Sequence, residues 1–187
     1  MYRPTAFAED RLDVLHDFIR ANPLGNVITG GPGGLLANLI PVSLHDAGEK
    51  GMLRLHLAKA NPQVASLESR QEVLVTFGGA QAYVTPSWYP TKQRHGKVVP
   101  TWNYAVVQVY GTPQVIDDAA WLRAQIDDLT VAAEADQAHP WQVGDAPEEF
   151  IHNLLKAIVG IEIPIDRIEG KFKVSHDAIL RNSGIQY

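Results

Sequence analysis

The chain has 187 residues, of which 45% are hydrophobic and 20% charged, the balance of one globular domain rather than a disordered segment. It contains no cysteine, which excludes disulfides, thiolate metal sites, iron–sulfur clusters and cysteine nucleophiles, so any redox chemistry must come from a bound cofactor. A formal net charge of -5 disfavours a nucleic-acid binder that works by broad neutralisation of phosphates, and direct DNA binding is not expected.

The N-terminal stretch MYRPTAFAEDRLDVL lacks the succession of a secretory leader, and no apolar run is long enough to span a bilayer, so a cytoplasmic location is expected. Residues 9–21 place Leu12, Leu15, Phe18 and Ile19 at helical spacing, with Glu9 and Asp10 in the first turn and Asn22-Pro23 as the stop. The period then changes. Runs at 26–29 and 35–44 are apolar and separated by the glycine-rich 30–34, which reads as a hairpin turn and fits neither a dinucleotide fingerprint nor a Walker loop. Residues 52–58 alternate, with Leu53, Leu55 and Leu57 on one face and Arg54 and His56 on the other. Asn61 and Pro62 then suit the cap and first position of a short helix reaching Ser69. Residues 73–77 and 81–85 read as two strands joined by Gly78-Gly79, and 103–116 as the longest strand. Helices are expected over 118–136, capped by Asp117 with Leu122, Ile126, Leu129 and Ala133 buried, and from Asp145-Pro147-Glu148 to Leu155. A strand over 157–168 follows. The pattern predicts a mainly β, α+β single domain spanning 1–187: an antiparallel barrel with peripheral helices.

Two constellations stand out. Arg54, His56, Lys59 and Asn61 bring basic side chains to the start of a helix, which is anion-binding chemistry; the alternative is that Arg54 and Lys59 are solvated charges and His56 packs on the barrel wall. The loop 85–104 holds two tryptophans, two tyrosines and three prolines among Lys92, Arg94, His95 and Lys97. Such aromatic area suits stacking on a ring system or a subunit interface, and a homodimer is expected because so much of it is not left in water on a stable monomer. A loop folded onto its own barrel, or bases stacked on the aromatics with phosphates on Lys92, Arg94 and Lys97, are the alternatives. The seven histidines show no metal-ligand spacing, and neither a metal site nor a catalytic residue is assigned.

The fragments MYRP, HLAKANP, YVTPSWYPTK, GKVVPTWNY and KAIVGIEIPIDRIEGKFK, in this order, resemble the PaiB family along nearly the whole chain. That resemblance implies a split β-barrel of the kind shared with pyridoxamine-phosphate oxidases and flavin reductases, dimeric, with FMN held between subunits, in a family described as negative transcriptional regulators. It places His56, Lys59 and Asn61 at the flavin phosphate. Ser87, Trp88, Tyr89, Lys97, Pro100, Thr101, Trp102 and Asn103 fall at the cofactor and dimer surface, with Lys171 and Lys173 near it. Where the family continues with a WKLSQN-like stretch, this chain reads Phe172-Lys173-Val174-Ser175-His176-Asp177, so contacts from that tail do not carry over. A flavin-dependent sensor or regulator, a flavin-dependent oxidoreductase and a cofactor-free interaction module all remain compatible with the residues. No basic recognition helix is present, since the helix expected from Asp118 carries Arg123 against five acidic residues.

Overall fold

The computed structural model describes residues 1–89, 92 and 96–174. Arg94 and His95 of the aromatic loop, and Ser175, His176 and Asp177 of the tail, lie outside the described residues.

Among the described residues ten strands form two antiparallel sheets: β1 (Ala8–Glu9), β2 (Leu24–Gly31), β3 (Gly34–Pro41), β4 (Ser43–His45), β5 (Met52–Ala58), β6 (Val73–Val84), β7 (Thr101–Gly111), β8 (Gln114–Ile116), β9 (Ile158–Pro164) and β10 (Arg167–Lys173). A six-stranded sheet has the order β1-β10-β7-β6-β2-β3, and a four-stranded sheet the order β4-β5-β9-β8. Alternation drives the packing of one sheet on the other. Leu53, Leu55 and Leu57 of β5 and Val159, Ile161 and Ile163 of β9 meet Val27, Val75, Phe77, Val107 and Val109 of the larger sheet in one buried core. The result is the expected barrel-like β fold, made as two facing sheets rather than one closed cylinder.

Four helices of regular α form complete the described residues: α1 (Leu12–Ala21), α2 (Gln63–Glu68), α3 (Ala119–Glu134) and α4 (Glu148–Leu155). Helix α1 packs against the core through Leu15 and Ile19, and its Phe18 ring lies 5.2 Å from Phe172 of β10. It begins later than the sequence suggests, because Ala8 and Glu9 pair with Lys171 and Gly170 as β1, and the Glu9 carboxylate accepts the Arg11 amide just before the first turn. Helices α3 and α4 cover the outer face of the four-stranded sheet. Trp121 of α3 lies on Gly160 of β9, where a Cβ would overlap the indole ring. The cap of α3 is Asp118, whose Oδ1 accepts the Trp121 amide at 2.7 Å, and not Asp117. The buried positions of α3 are Leu122 and Gln125; of the others expected inside, Ile126 and Leu129 are half-buried and Ala133 is exposed.

Other expectations on the strands are corrected by the pairing. Gly78-Gly79 is not a turn: β6 runs through it with one β-bulge between Gly78 and Gln81, and Gly79 lacks a side chain where Phe18 of α1 presses against it. The run 103–116 divides at Thr112-Pro113 into β7 and β8, which belong to different sheets, and the run 35–44 divides in the same way into β3 and β4. The last expected strand divides too, turning at Ile165-Asp166 so that β10 returns beside β7.

Candidate functional site

The sequence-expected anion group lies on β5 and just past its end. Because Leu53, Leu55 and Leu57 point into the core, Arg54 and His56 point to the opposite face of the four-stranded sheet, under α3. There Arg54 pairs with Glu162, directly across from it on β9, at 2.8 Å, and its guanidinium stands 5.6 Å from the Trp121 ring. Trp121 also donates its Nε1 to Glu162 at 3.1 Å. His56 Nδ1 lies 2.7 Å from Oε1 of the buried Gln125, a pairing in which Nδ1 carries the proton; the Gln125 amide nitrogen has no partner among the described residues. On the same face His45 has its pKa pushed down by burial and by the nearby Arg54 charge. Arg54 and His56 are thus spent on joining the sheet to its helix layer.

Lys59 differs. Its ammonium lies 2.7 Å from Asp117, with side-chain exposures of 42% and 68% for the two partners. Asn61 does cap the start of α2, its Oδ1 accepting the Gln63 amide at 2.9 Å, but α2 has only six residues and this amide is consumed by the cap. The buried Gln63 side chain donates to the Val27 carbonyl at 2.9 Å and accepts from Asn38, which ties α2 to β2 and β3. Lys59 and Asp117 also border a cleft of about 200 Å³, together with His152, Lys156, Leu122 and Leu155. No sequence pattern assigned Asp117, His152 or Lys156 to a ligand site, because their convergence depends on how α3 and α4 pack.

The second group gathers at one end of the six-stranded sheet. Register pairs Tyr83 with Trp102 and Lys173 with Tyr104, and their outward positions alternate with the buried Val84 and Asn103. The Tyr83 and Trp102 rings meet edge to face at 5.7 Å and are 48% and 52% exposed. Lys171 Nζ sits 5.5 Å from the rings of both Tyr2 and Tyr104, and Lys173 donates to Thr101 Oγ1 at 2.6 Å. Beside them, a single 3-10 turn (Pro86–Trp88) is closed by Thr85 accepting the Ser87 amide; Lys92 donates to Ser87 Oγ, and Trp88 is 59% exposed next to Tyr89. Lys97 and Pro100 are exposed in the segment leading into β7. Tyr2 and Tyr83 belong to this cluster although no sequence pattern assigned them a site role, and Tyr104, one of the two tyrosines of the loop 85–104, is turned outward beside them by period-two alternation from Trp102.

A flavin mononucleotide needs a cationic subsite for its phosphate and flat apolar surface for its ring. The donor set fits on both counts, with Lys59 for the first and the Trp102, Tyr83 and Tyr104 rings beside two lysines for the second. The two groups lie on opposite sides of the core: Arg54, His56 and the Lys59–Asp117 pair on the α3 side, and Trp102, Tyr104, Lys171 and Lys173 on the far face of the other sheet. One protomer does not bring them together. No group of three or more acidic or histidine side chains that would hold a metal occurs among the described residues, and no helix among them is long and apolar enough to cross a membrane.

Known proteins resemble this chain in sequence and in fold. An uncharacterized protein of Emericella nidulans is 40% identical over 95% of this chain and 85% of its own length. The Bacillus subtilis protease synthase and sporulation protein PAI 2 is 29% identical over 95% of this chain and 83% of its own. Among solved structures, the flavocytochrome Anf3 of Azotobacter vinelandii superposes with a TM-score of 0.65 at 14% identity, covering 100% of this chain and 83% of that one. The FAD and heme binding protein of Mycobacterium smegmatis gives 0.63 at 16% identity, covering 93% and 78%. At these identities the two structures establish a shared fold. The family model described as "Putative FMN-binding domain" matches residues 1–167, and the chain belongs to that FMN-binding family, as a protein of the PaiB type.

Proposed function

We propose that the protein is a cytoplasmic homodimer that binds FMN between its subunits and uses it to sense or regulate rather than to turn over a substrate. The observation that carries this reading is the separation of the two candidate groups onto opposite sides of one protomer, since a ligand contacted by both must lie between two copies. A second feature supports it: among the described residues no helix layer covers the outer face of the six-stranded sheet, and Leu24, Leu35, Leu39, Tyr83 and Trp102 are exposed on it. Lys59 takes the phosphate in exchange for Asp117. Such an exposed ion pair contributes about 0 to 1 kcal/mol, so the exchange costs little. Trp102, Tyr83 and Tyr104 supply the surface for the ring, with Lys171, Lys173 and Thr101 at its polar edge, and Ser87, Trp88, Tyr89, Lys97, Pro100 and Asn103 shape the surround.

The bound flavin would supply redox or spectral sensitivity that a chain without cysteine does not have. A regulatory role agrees with the name of the Bacillus subtilis relative. With this acidic chain, regulation would run through a partner or metabolite rather than through direct contact with DNA. The test is the absorbance spectrum of the purified protein, identification of the ligand released on heating, and assay of NADH and NADPH oxidation. FMN released with no sustained nicotinamide oxidation supports the sensor. Steady FMN-dependent consumption of either nicotinamide would make the protein an oxidoreductase, and a colourless protein that takes up no added FMN would overturn the reading.

A further inference from the structure

We propose that the cleft between the end of β5, the start of α3 and the last turn of α4 is the phosphate subsite for FMN, that His152 and Lys156 share the anion with Lys59, and that Asp117 is a built-in competitor for it. The inference rests on the FMN reading above and extends it to Asp117, His152 and Lys156, to none of which a sequence pattern assigns a ligand role.

The cleft measures about 200 Å³, several times the ~30 Å³ share of one water, so a phosphate group can enter it. Its rim carries Lys59, Lys156 and His152 against the single carboxylate of Asp117. In a chain of net charge -5 this is a local excess of positive charge, and Lys156 donates to the neutral Asn153 Oδ1 at 3.3 Å and pairs with no carboxylate among the described residues. The floor is apolar, formed by Leu122 and Leu155, which suits a phosphate monoester carried on a carbon chain better than a free inorganic anion.

Asp117 holds the place the phosphate would take. Its Oδ1 lies 2.7 Å from Lys59 Nζ, and both side chains are well exposed, so the contact is weakly held and readily exchanged. An ammonium bonded to a dianionic phosphate cannot keep a carboxylate beside that phosphate without repulsion. Arrival of the phosphate therefore displaces Asp117, and the carboxylate tunes affinity downward so that occupancy can respond to FMN concentration.

The experiment titrates FMN and riboflavin, which has the same ring but no phosphate, into the full-length protein and its variants. Asp117→Asn should tighten FMN about threefold to tenfold, and Lys156→Met should weaken it about tenfold, with riboflavin unchanged in both. In a Lys59→Ala background the gain from Asp117→Asn should shrink, because the ammonium it frees is gone. Unchanged riboflavin affinity also reports that each variant is folded. If Lys59→Ala weakens FMN while either Asp117→Asn or Lys156→Met leaves it unmoved, the cleft assignment is overturned and the FMN reading stands. If the parent protein binds riboflavin as tightly as FMN, the phosphate reading itself falls, and this inference with it.

Discussion

Arg54 and Lys59 lie five positions apart in sequence, yet their charges are available for different things. Arg54 is partly buried between Glu162 and the Trp121 ring, so its loss would leave the Glu162 carboxylate short of its partner under a helix. Arg54→Ala should cost on the order of 1–3 kcal/mol of stability, read as a lowered midpoint in urea, whatever its effect on ligands. Lys59 has little buried area to lose. Lys59→Ala should leave the urea midpoint nearly unchanged and weaken FMN binding about tenfold to a hundredfold, the worth of a charge-assisted hydrogen bond of about 1.5–3 kcal/mol. Riboflavin should bind both proteins alike; equal weakening of the two flavins would remove Lys59 from the phosphate. A third charged residue sets an acid limb. Arg11 beside Glu9 holds that carboxyl down at about 2, from an ordinary value of 4.5. A depressed native pKa stabilises the fold above the unfolded value, and the contribution is lost as pH falls from 4.5 toward about 2. Replacing Glu9 by Gln should flatten the fall in stability over that window, measured by urea unfolding at successive pH values; an unchanged slope would show that the Glu9–Arg11 pair does not persist in solution.

Helices α1 and α3 are seated by glycines in the strands below them. Leu15 of α1 presses on Gly170 of β10, Phe18 on Gly79 of β6, and Trp121 of α3 on Gly160 of β9. At Gly160 a methyl group would overlap the indole ring. Gly160→Ala must therefore lift Trp121 and break its bond to Glu162, and a loss of about 1–3 kcal/mol in unfolding free energy is expected. A melting temperature equal to that of the parent would mean that the helix layer is not held at this point. These contacts also mark where sequence was readable and where it was not. Strand β5 and helices α2 and α4 stand where alternation, Asn61-Pro62 and Asp145-Pro147-Glu148 place them, because those signals are local. The cap of α4 is nevertheless Pro147, and Asp145 instead closes the 3-10 turn before it by accepting the Gln142 amide. Gly78-Gly79 looks the same whether it ends a strand or accommodates Phe18, and only the path of α1 decides. In the same way Thr112-Pro113 and Pro41 pass a strand from one sheet to the other, a tertiary event with no local code. The candidate site was legible as residue types, but not as an arrangement. Lys59 and Trp102 were singled out together from motifs, whereas only the sheet faces reveal that they lie on opposite sides of the core.

At the scale of the molecule, the two sheets are treated unequally. The four-stranded sheet has its outer face covered by α3 and α4, while among the described residues no helix covers the outer face of the six-stranded sheet, which meets the N-terminal Met1 and Tyr2 at β10. Antiparallel sheets do leave one face in water, but that face is then polar, and here β3 turns Leu35, Ala37 and Leu39 outward with exposures of 79% and 66% for the two leucines. Sequence reasoning placed the subunit contact in the loop 85–104; the sheet face extends that surface inward from Trp102, through Leu24 on β2, to β3. A stable dimer needs about 800 Å² from each partner, an area that a loop of this size would not supply alone and a six-stranded face can. Leu39 is the position from which to test it. Leu39→Glu adds a charge to the open face without touching the core, so the protomer should fold with an unchanged circular dichroism spectrum. If this face joins two copies, the buried carboxylate would be unpaired at the contact, and the variant should sediment as a monomer at micromolar concentration where the parent is a dimer. FMN affinity should fall together with dimerisation, because a ligand held from both sides loses one of them. If Leu39→Glu stayed dimeric and bound FMN like the parent, the subunits would meet elsewhere, and the aromatic segment around Trp88 and Trp102 would be the next surface to vary.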